Sequence, residues 1–402
     1  MPSALGLYVH IPFCLSKCPY CDFNTYAGVE SLMPAYVKGL EREIELWGGW
    51  LGRPVLSSVF FGGGTPSYLP TRDIARLMRA VRSAFELAPD AEATIEANPG
   101  DCARERVHAM RLAGFNRISI GAQSFDDHEL RMLGRRHSAD RAVQAVAAAR
   151  AAGFDNVSID LMFGLPNQYL SSWEHSLQQA VELGPDHLSA YALTLEPGTP
   201  LEADVRLGRV PEPDPDLAAE MYALAQTTLA GAGLAQYEIS NWAQPGRESV
   251  HNLAYWRSLP YLGVGPGAHS CLYGAAGPLG VRFATVKSPR AHLERVAAWT
   301  PKGPVDAAGI AAIAGECDAL DRPTAMSEVM MMGLRLNEGV GDAAFRARFG
   351  VGVADAFPKA AAECVELGLL EWSGGALRLT DAGRPLANEA FVRFVAEKAP
   401  TR

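Results

Sequence analysis

Along the first 195 residues, short runs of β-branched, aliphatic and aromatic residues alternate with longer stretches in which apolar side chains recur every three or four positions. The first pattern suits strands and the second amphipathic helices. Strands are expected at 7–11, 58–61, 93–97, 117–120, 157–161 and 187–192, and helices at 34–51, 71–85, 102–113, 139–152 and 171–183. Pro34 falls in a first helical turn, and Gly114, Gly153 and Gly184 lie just past helix ends, where such residues are favoured. Six strands alternating with helices imply βαβ units around a parallel sheet. The expected fold class is therefore α/β: a partial, TIM-like (β/α)6 barrel with its site at the C-terminal ends of the strands.

The alternation stops at the proline-rich segment 210–215, ahead of a helix expected at 216–232 and a stretch rich in glycine and aromatic residues at 237–273. A Pro/Gly linker near 301–304 is expected to open a last module. Its elements are a Met-rich helix at 324–337, two shorter helices, a strand–turn–strand at 369–372 and 377–380, and a final helix. This order is that of a winged-helix-like α+β module. The division expected is 1–235 for the barrel core, 236–300 for a connecting region and 301–402 for the C-terminal module.

Charge narrows the possible partners. Winged helices often bind DNA, but from Pro301 onward 11 Lys and Arg stand against 14 Asp and Glu, and the whole chain carries −9. Neither supplies the basic footprint that nucleic acid demands, so no nucleic-acid partner is expected. No run of apolar residues is long enough for a transmembrane helix, and the segment before the first cysteine lacks the basic start of a signal peptide. Seven cysteines, an odd count, point to a reducing cytoplasmic setting with at most peripheral membrane association. Cys102, Cys271, Cys317 and Cys364 are scattered and expected to be small buried side chains. The Met330–Met332 run is expected in a core, and Asp126, Asp127 and Glu129 at a solvated helix start.

The other three cysteines carry chemistry. Cys14, Cys18 and Cys21 follow the first expected strand at C-x3-C-x2-C spacing. Three thiolates can hold three corners of a [4Fe–4S] cubane and leave the fourth iron open to an outside ligand. The amino and carboxylate groups of S-adenosylmethionine suit that iron, and reductive cleavage of its sulfonium yields methionine and a 5′-deoxyadenosyl radical. Structural zinc, with His10 as fourth ligand, is the competing use of the same thiols. Gly62, Gly63, Gly64 and Thr65 follow the second strand, where glycines permit close backbone approach. Glu96, Gln123 and Asp160 sit in or at the ends of later strands, and Arg135 follows; buried there, each needs a partner.

The segment from Tyr8 through Cys14 to Cys21-Asp22-Phe23 resembles the radical-SAM family of oxygen-independent coproporphyrinogen III oxidases and their HemW-type haem-chaperone relatives, and the likeness runs nearly to the C-terminus. The resemblance implies that Tyr8, the Gly62–Thr65 turn, Glu96, Gln123, Arg135 and Asp160 line an S-adenosylmethionine pocket. It also implies an electron donor. The chain departs from the oxidases where Asp22-Phe23 replaces a further cysteine and where only 13 residues precede Cys14. It is similar instead to the haem chaperones, in Cys-Pro-Tyr-Cys-Asp-Phe and in His251-Asn252-Leu-Ala-Tyr255-Trp256. In that motif imidazole is a good axial ligand to iron, and the two aromatic rings offer faces to a flat macrocycle. His269 is a second candidate ligand. The resemblance implies a chaperone that binds haem and delivers it to haem-accepting apoproteins. It implies little coproporphyrinogen III oxidase activity, and that oxidase reaction is the alternative function.

Overall fold

The computed structural model describes residues 5–274 and 279–395. Six strands lie side by side in chain order, all parallel: β1 (Leu5–Ile11), β2 (Val55–Gly63), β3 (Glu86–Ala97), β4 (Arg117–Gln123), β5 (Asn156–Phe163) and β6 (His187–Ala192). Helices Met33–Trp50, Thr71–Ala84, Arg104–Ala113, Ala139–Ala151 and Leu170–Glu182 connect them. This is the partial barrel read from the sequence. Gly114 closes one helix at φ +106, a left-handed conformation that side chains with a Cβ resist.

Side-chain alternation explains how the barrel holds together and what it encloses. Along each strand one set of residues is aliphatic or aromatic: Leu7, Val9 and Ile11 on β1, Val59 and Phe61 on β2, Ile118 and Ile120 on β4, Val157, Ile159 and Leu161 on β5. These sets are fully buried in one core with the helices. The alternate positions are mostly polar or aromatic, and strand register aligns them in layers. Tyr8 pairs with Phe60, Phe60 with Thr94 and Thr94 with Arg117; Ser158 pairs with His187 and Asp160 with Ser189. Because residues two apart share a face, this second set lines the lumen. The interior of the barrel is thus a place for polar chemistry.

Beyond β6 and β1 the sheet continues with shorter strands. β7 (Ala235–Glu238) and β8 (Asn241–Ala243) extend one edge, while β9 (Tyr261–Val264), β10 (His269–Leu272), β11 (Val281–Thr285) and β12 (Ala314–Ala319) extend the other, for twelve strands in all. Strand β9 runs parallel to β1, with Tyr8 opposite Gly263, and the rest of that edge is antiparallel.

Residues past the expected boundary at 301 stay with this sheet: β12 pairs with β11, and Ile310, Ile313 and Ala314 join the first core. A second core begins at Ala325 and gathers helices Arg322–Gly333, Asp342–Phe349 and Pro358–Glu366 with a three-stranded sheet around the hairpin Leu370–Ser373 and Ala376–Leu379. The C-terminal module is α+β, as expected. Among the described residues no helix is long and apolar enough to cross a membrane.

Candidate functional site

The cysteine loop leaves β1 and is pinned to the end of β2 by backbone bonds from Gly64 N to Ile11 O (2.8 Å) and from Thr65 N to Phe13 O (2.9 Å). A Cβ on Gly64 would stand 2.8 Å from each of those two carbonyl oxygens, and one on Gly63, at φ +108, would strike the His10 ring. The glycines are therefore required by close packing of β2 against the cysteine loop. Gly62 faces Phe60, Glu96 and Tyr8 within the protein, whereas Gly63, Gly64 and Thr65 border a cavity of about 420 Å³. Gly62 itself does not border that cavity.

That cavity collects most of the residues expected at the cofactor. Cys14, Cys18 and Cys21, all partly exposed free thiols, stand beside Glu96, Gln123, Arg135, Asp160 and Ser119. Thr65 Oγ1 lies 3.4 Å from Cys14 Sγ, and Arg135 donates to Cys18 Sγ (3.6 Å) and to Gly121 O (2.8 Å). Arg135 Nε is buried without a hydrogen bond among the described residues. Burial raises the thiol pKa of Cys14 and of Cys21, a penalty that binding of a cation would offset. Gln123 adopts φ +68, and for a residue with a Cβ this costs of order 1–3 kcal/mol, a form of strain common at ligand sites. A loop of three thiols with an adjacent guanidinium fits a cluster-bound anionic ligand. His10 does not fit the zinc alternative. Its Nε2–H donates to Asn24 O (3.0 Å), its Nδ1 accepts from the Tyr8 hydroxyl (2.9 Å), and burial lowers its pKa to about 4.

Glu96 is the hinge of the site. Its carboxylate accepts from Gly63 N (3.1 Å), and burial, reinforced by Asp160, raises its pKa to about 8. Asp160 accepts from Ser119 Oγ (3.0 Å), and burial raises its pKa as well. Behind them a smaller lumenal cavity of about 180 Å³ is walled by Tyr8, Arg117, Tyr191, His251, Asn252 and Tyr255, among others. The helix Val250–Trp256 plugs this end of the barrel. Its N-terminal amides, Val250 N and His251 N, donate to the Glu92 carboxylate (3.1 and 3.2 Å), an anion at the positive end of a helix. Arg117 lies 3.8 Å from the same carboxylate, both side chains buried.

His251 is consequently not placed as an iron ligand. It is 1% exposed, with Nδ1 2.8 Å from Ser58 Oγ, Nε2 2.8 Å from Tyr255 Oη and its ring stacked on Phe60. Neither nitrogen has a lone pair to spare, and burial lowers the pKa to about 3. The motif divides: His251 and Asn252 line the lumenal cavity, Trp256 opens on another, third chamber and Tyr255 borders both of these.

This third chamber, about 700 Å³, adjoins the cysteine cavity and shares Lys17, Asp22, Phe23, Thr25, Gly63 and Glu96 with it. Its far wall is Tyr255, Trp256, Tyr261, Tyr273, His269 and Arg282, with Met332 contributed by the C-terminal module. Met330 is core as expected, whereas Met332 opens on the chamber. Arg335 stacks its guanidinium over Trp256 at 4.4 Å, and Arg282 pairs with Glu328 at 2.7 Å, so the module closes this side. Glu129 is a further correction. Far from solvated, it is buried and accepts from Ser124 and Ser172 hydroxyls (2.6 Å each) and from Gln168. Arg282, Lys287 and Tyr273 were not singled out from the sequence, because strands of four and five residues carry too short an alternation to mark them.

Comparison with known proteins agrees with this architecture. Residues 8–180 match the Radical SAM superfamily and residues 320–386 the HemN C-terminal domain. The chain is 40% identical to the haem chaperone HemW of Mycobacterium tuberculosis over 392 residues, covering 96% of this chain and 94% of that protein. It is 36% identical to the haem chaperone HemW of Bacillus subtilis, covering 97% and 99%. The solved structure of the coproporphyrinogen III oxidase HemN, a radical SAM enzyme from Escherichia coli, superposes with a TM-score of 0.82 at 25% identity, covering 98% of this chain and 91% of that one.

Proposed function

The chain belongs to the HemW-type family of radical-SAM proteins, and from that premise we propose that it is a haem chaperone, binding haem as cargo and passing it to haem-accepting apoproteins in the cytoplasm. Radical-SAM membership brings iron–sulfur and S-adenosylmethionine use in general. In this reading Cys14, Cys18 and Cys21 hold a [4Fe–4S] cluster, reduced by an electron donor, and Arg135, Glu96, Gln123 and Asp160 bind the S-adenosylmethionine beside it. Tyr8 spans the lumen between them and the plug helix, fixing the orientation of His10.

The observation that carries the proposal is the chamber of about 700 Å³ against the cysteine cavity, with the cysteine loop itself as partition. Its volume lies in the range of ligand sites, and its aromatic wall offers the faces on which a flat apolar macrocycle gains most of its binding energy. The cluster and its nucleoside would then report on, or gate, what the chamber holds.

The oxidase reaction is the second reading, favoured by the full-length likeness to the Escherichia coli enzyme. Both readings place a tetrapyrrole in the same chamber, so one assay separates them. Full-length reconstituted protein loaded with haem is mixed with an apo-haemoprotein. The same preparation, reduced and supplied with S-adenosylmethionine, is incubated anaerobically with coproporphyrinogen III. The chaperone reading predicts growth of the acceptor's Soret band and unchanged coproporphyrinogen. Conversion to protoporphyrinogen IX without haem transfer would establish the oxidase instead.

A further inference from the structure

We propose that the metal of the cargo is taken by His269, not His251, and that the carboxylate arms of the macrocycle are held by Arg282 and Lys287. The inference deepens the haem reading above and rests on it.

Strand register puts these groups together. In the antiparallel pair β10–β11, His269 lies opposite Ala284 and Cys271 opposite Arg282. Residues two apart on a strand, and residues paired across strands, point to the same side. His269 and Arg282 therefore share a face, and that face borders the chamber, with Lys287 just beyond the end of β11.

Elimination then singles out the imidazole. Two histidines line the chamber, His10 and His269. His10 has both nitrogens engaged, by Tyr8 and by Asn24. His251 lies behind Tyr255 with both nitrogens engaged as well. The His269 side chain is exposed to the chamber, and no hydrogen bond holds its ring among the described residues. Partial burial lowers its pKa, with Arg282 and Lys287 adding to the effect and Glu316 opposing it. The shift favours the neutral ring, the form that binds metal. Met332, from the C-terminal module, brings a thioether to the same chamber.

The charges on the walls are disposed for a planar ligand with anionic edges. Arg282 directs Nη2 to Glu328 and Cys271, while Nη1 has no hydrogen bond among the described residues and is not buried, so the guanidinium keeps a donor for a carboxylate in the chamber. Lys287 is exposed, while its backbone carbonyl accepts from Asn24 and Tyr26 and so anchors the loop that carries it. On the opposite wall, shared with the cysteine cavity, Asp22 stands with Lys17, and burial favours the protonated form of Glu96.

The test titrates the full-length chain, reconstituted and checked for cluster content, with ferric haem and with metal-free protoporphyrin IX. His269→Ala should change the Soret spectrum and weaken haem binding roughly tenfold, about 1.4 kcal/mol, while leaving protoporphyrin IX affinity as in wild type. Added imidazole should restore the wild-type spectrum, and His269→Met should give a third, distinct one. Lys287→Ala should weaken both ligands alike. A His269→Ala variant with wild-type spectrum and affinity overturns the proposal, as does loss of the haem signature in a folded His251→Gln variant. Wild-type protein that binds neither ligand overturns the haem reading itself, a result distinct from either.

Discussion

At the scale of single residues, burial decides what an imidazole can do. His251 holds Ser58 and Tyr255 together across the lumen, at a layer where β2 meets the plug helix. Replacing it by alanine would leave two hydroxyls unpaired and a hole beside Phe60, at a cost of roughly 2–4 kcal/mol. Its pH dependence has a definite sign. The folded pKa near 3 lies below the unfolded value, so the unfolded chain binds the extra proton first. The stability that the neutral ring confers is complete above about pH 6.5 and is lost as pH falls towards 3. Comparing wild type with His251→Gln cancels the other groups, among them Glu96, whose raised pKa gives the opposite slope. Denaturant midpoints should therefore converge for the two proteins as pH drops from 7 to 5. A constant gap across that interval would show that His251 is not held neutral. The three cysteines of the loop after β1 were legible in the sequence from their spacing. It could not reveal that His251 faces inward, since a helical motif read in isolation does not say which of its residues the barrel swallows.

The elements were legible in proportion to their periodicity. Strands β1, β2 and β4 to β6 have a buried aliphatic set two residues apart, and the helices between them bury one stripe, so both stood out. The start of β3 at Glu86 did not, because its first half is polar and partly exposed. Strands β7 to β12 are three to six residues long, too short to establish a period, and with them went Arg282 and the outer wall of the chamber. The junction between the β2 end and the cysteine loop offers a direct check at this scale. Gly64→Ala places a Cβ 2.8 Å from the Ile11 and Phe13 carbonyls, which are backbone and cannot swing aside. The variant should retain markedly less iron and sulfide than wild type after anaerobic reconstitution, although all three thiols remain. Full loading, about four iron and four sulfide per chain, would mean that the glycine serves only the turn.

For the whole molecule, the polar lumen divides the work. The cysteine cavity, the lumenal cavity and the large chamber all border one buried carboxyl, that of Glu96. The C-terminal module completes the chamber through Met332 and through the Arg335–Trp256 and Arg282–Glu328 contacts. Its acidic balance, read from the sequence, suits that covering role better than contact with nucleic acid. What composition could not show is that the module's first helix reaches the chamber at all, since that depends on the sheet extending to β12 before the second core begins. The central claim is that this chamber holds haem, and an equilibrium titration of the full-length protein with ferric haem, followed at the Soret band, tests it most directly. The account predicts saturation at about one haem per chain, the capacity of one such chamber. A spectrum that rises without saturating, as haem does when it merely adsorbs to protein, would contradict it.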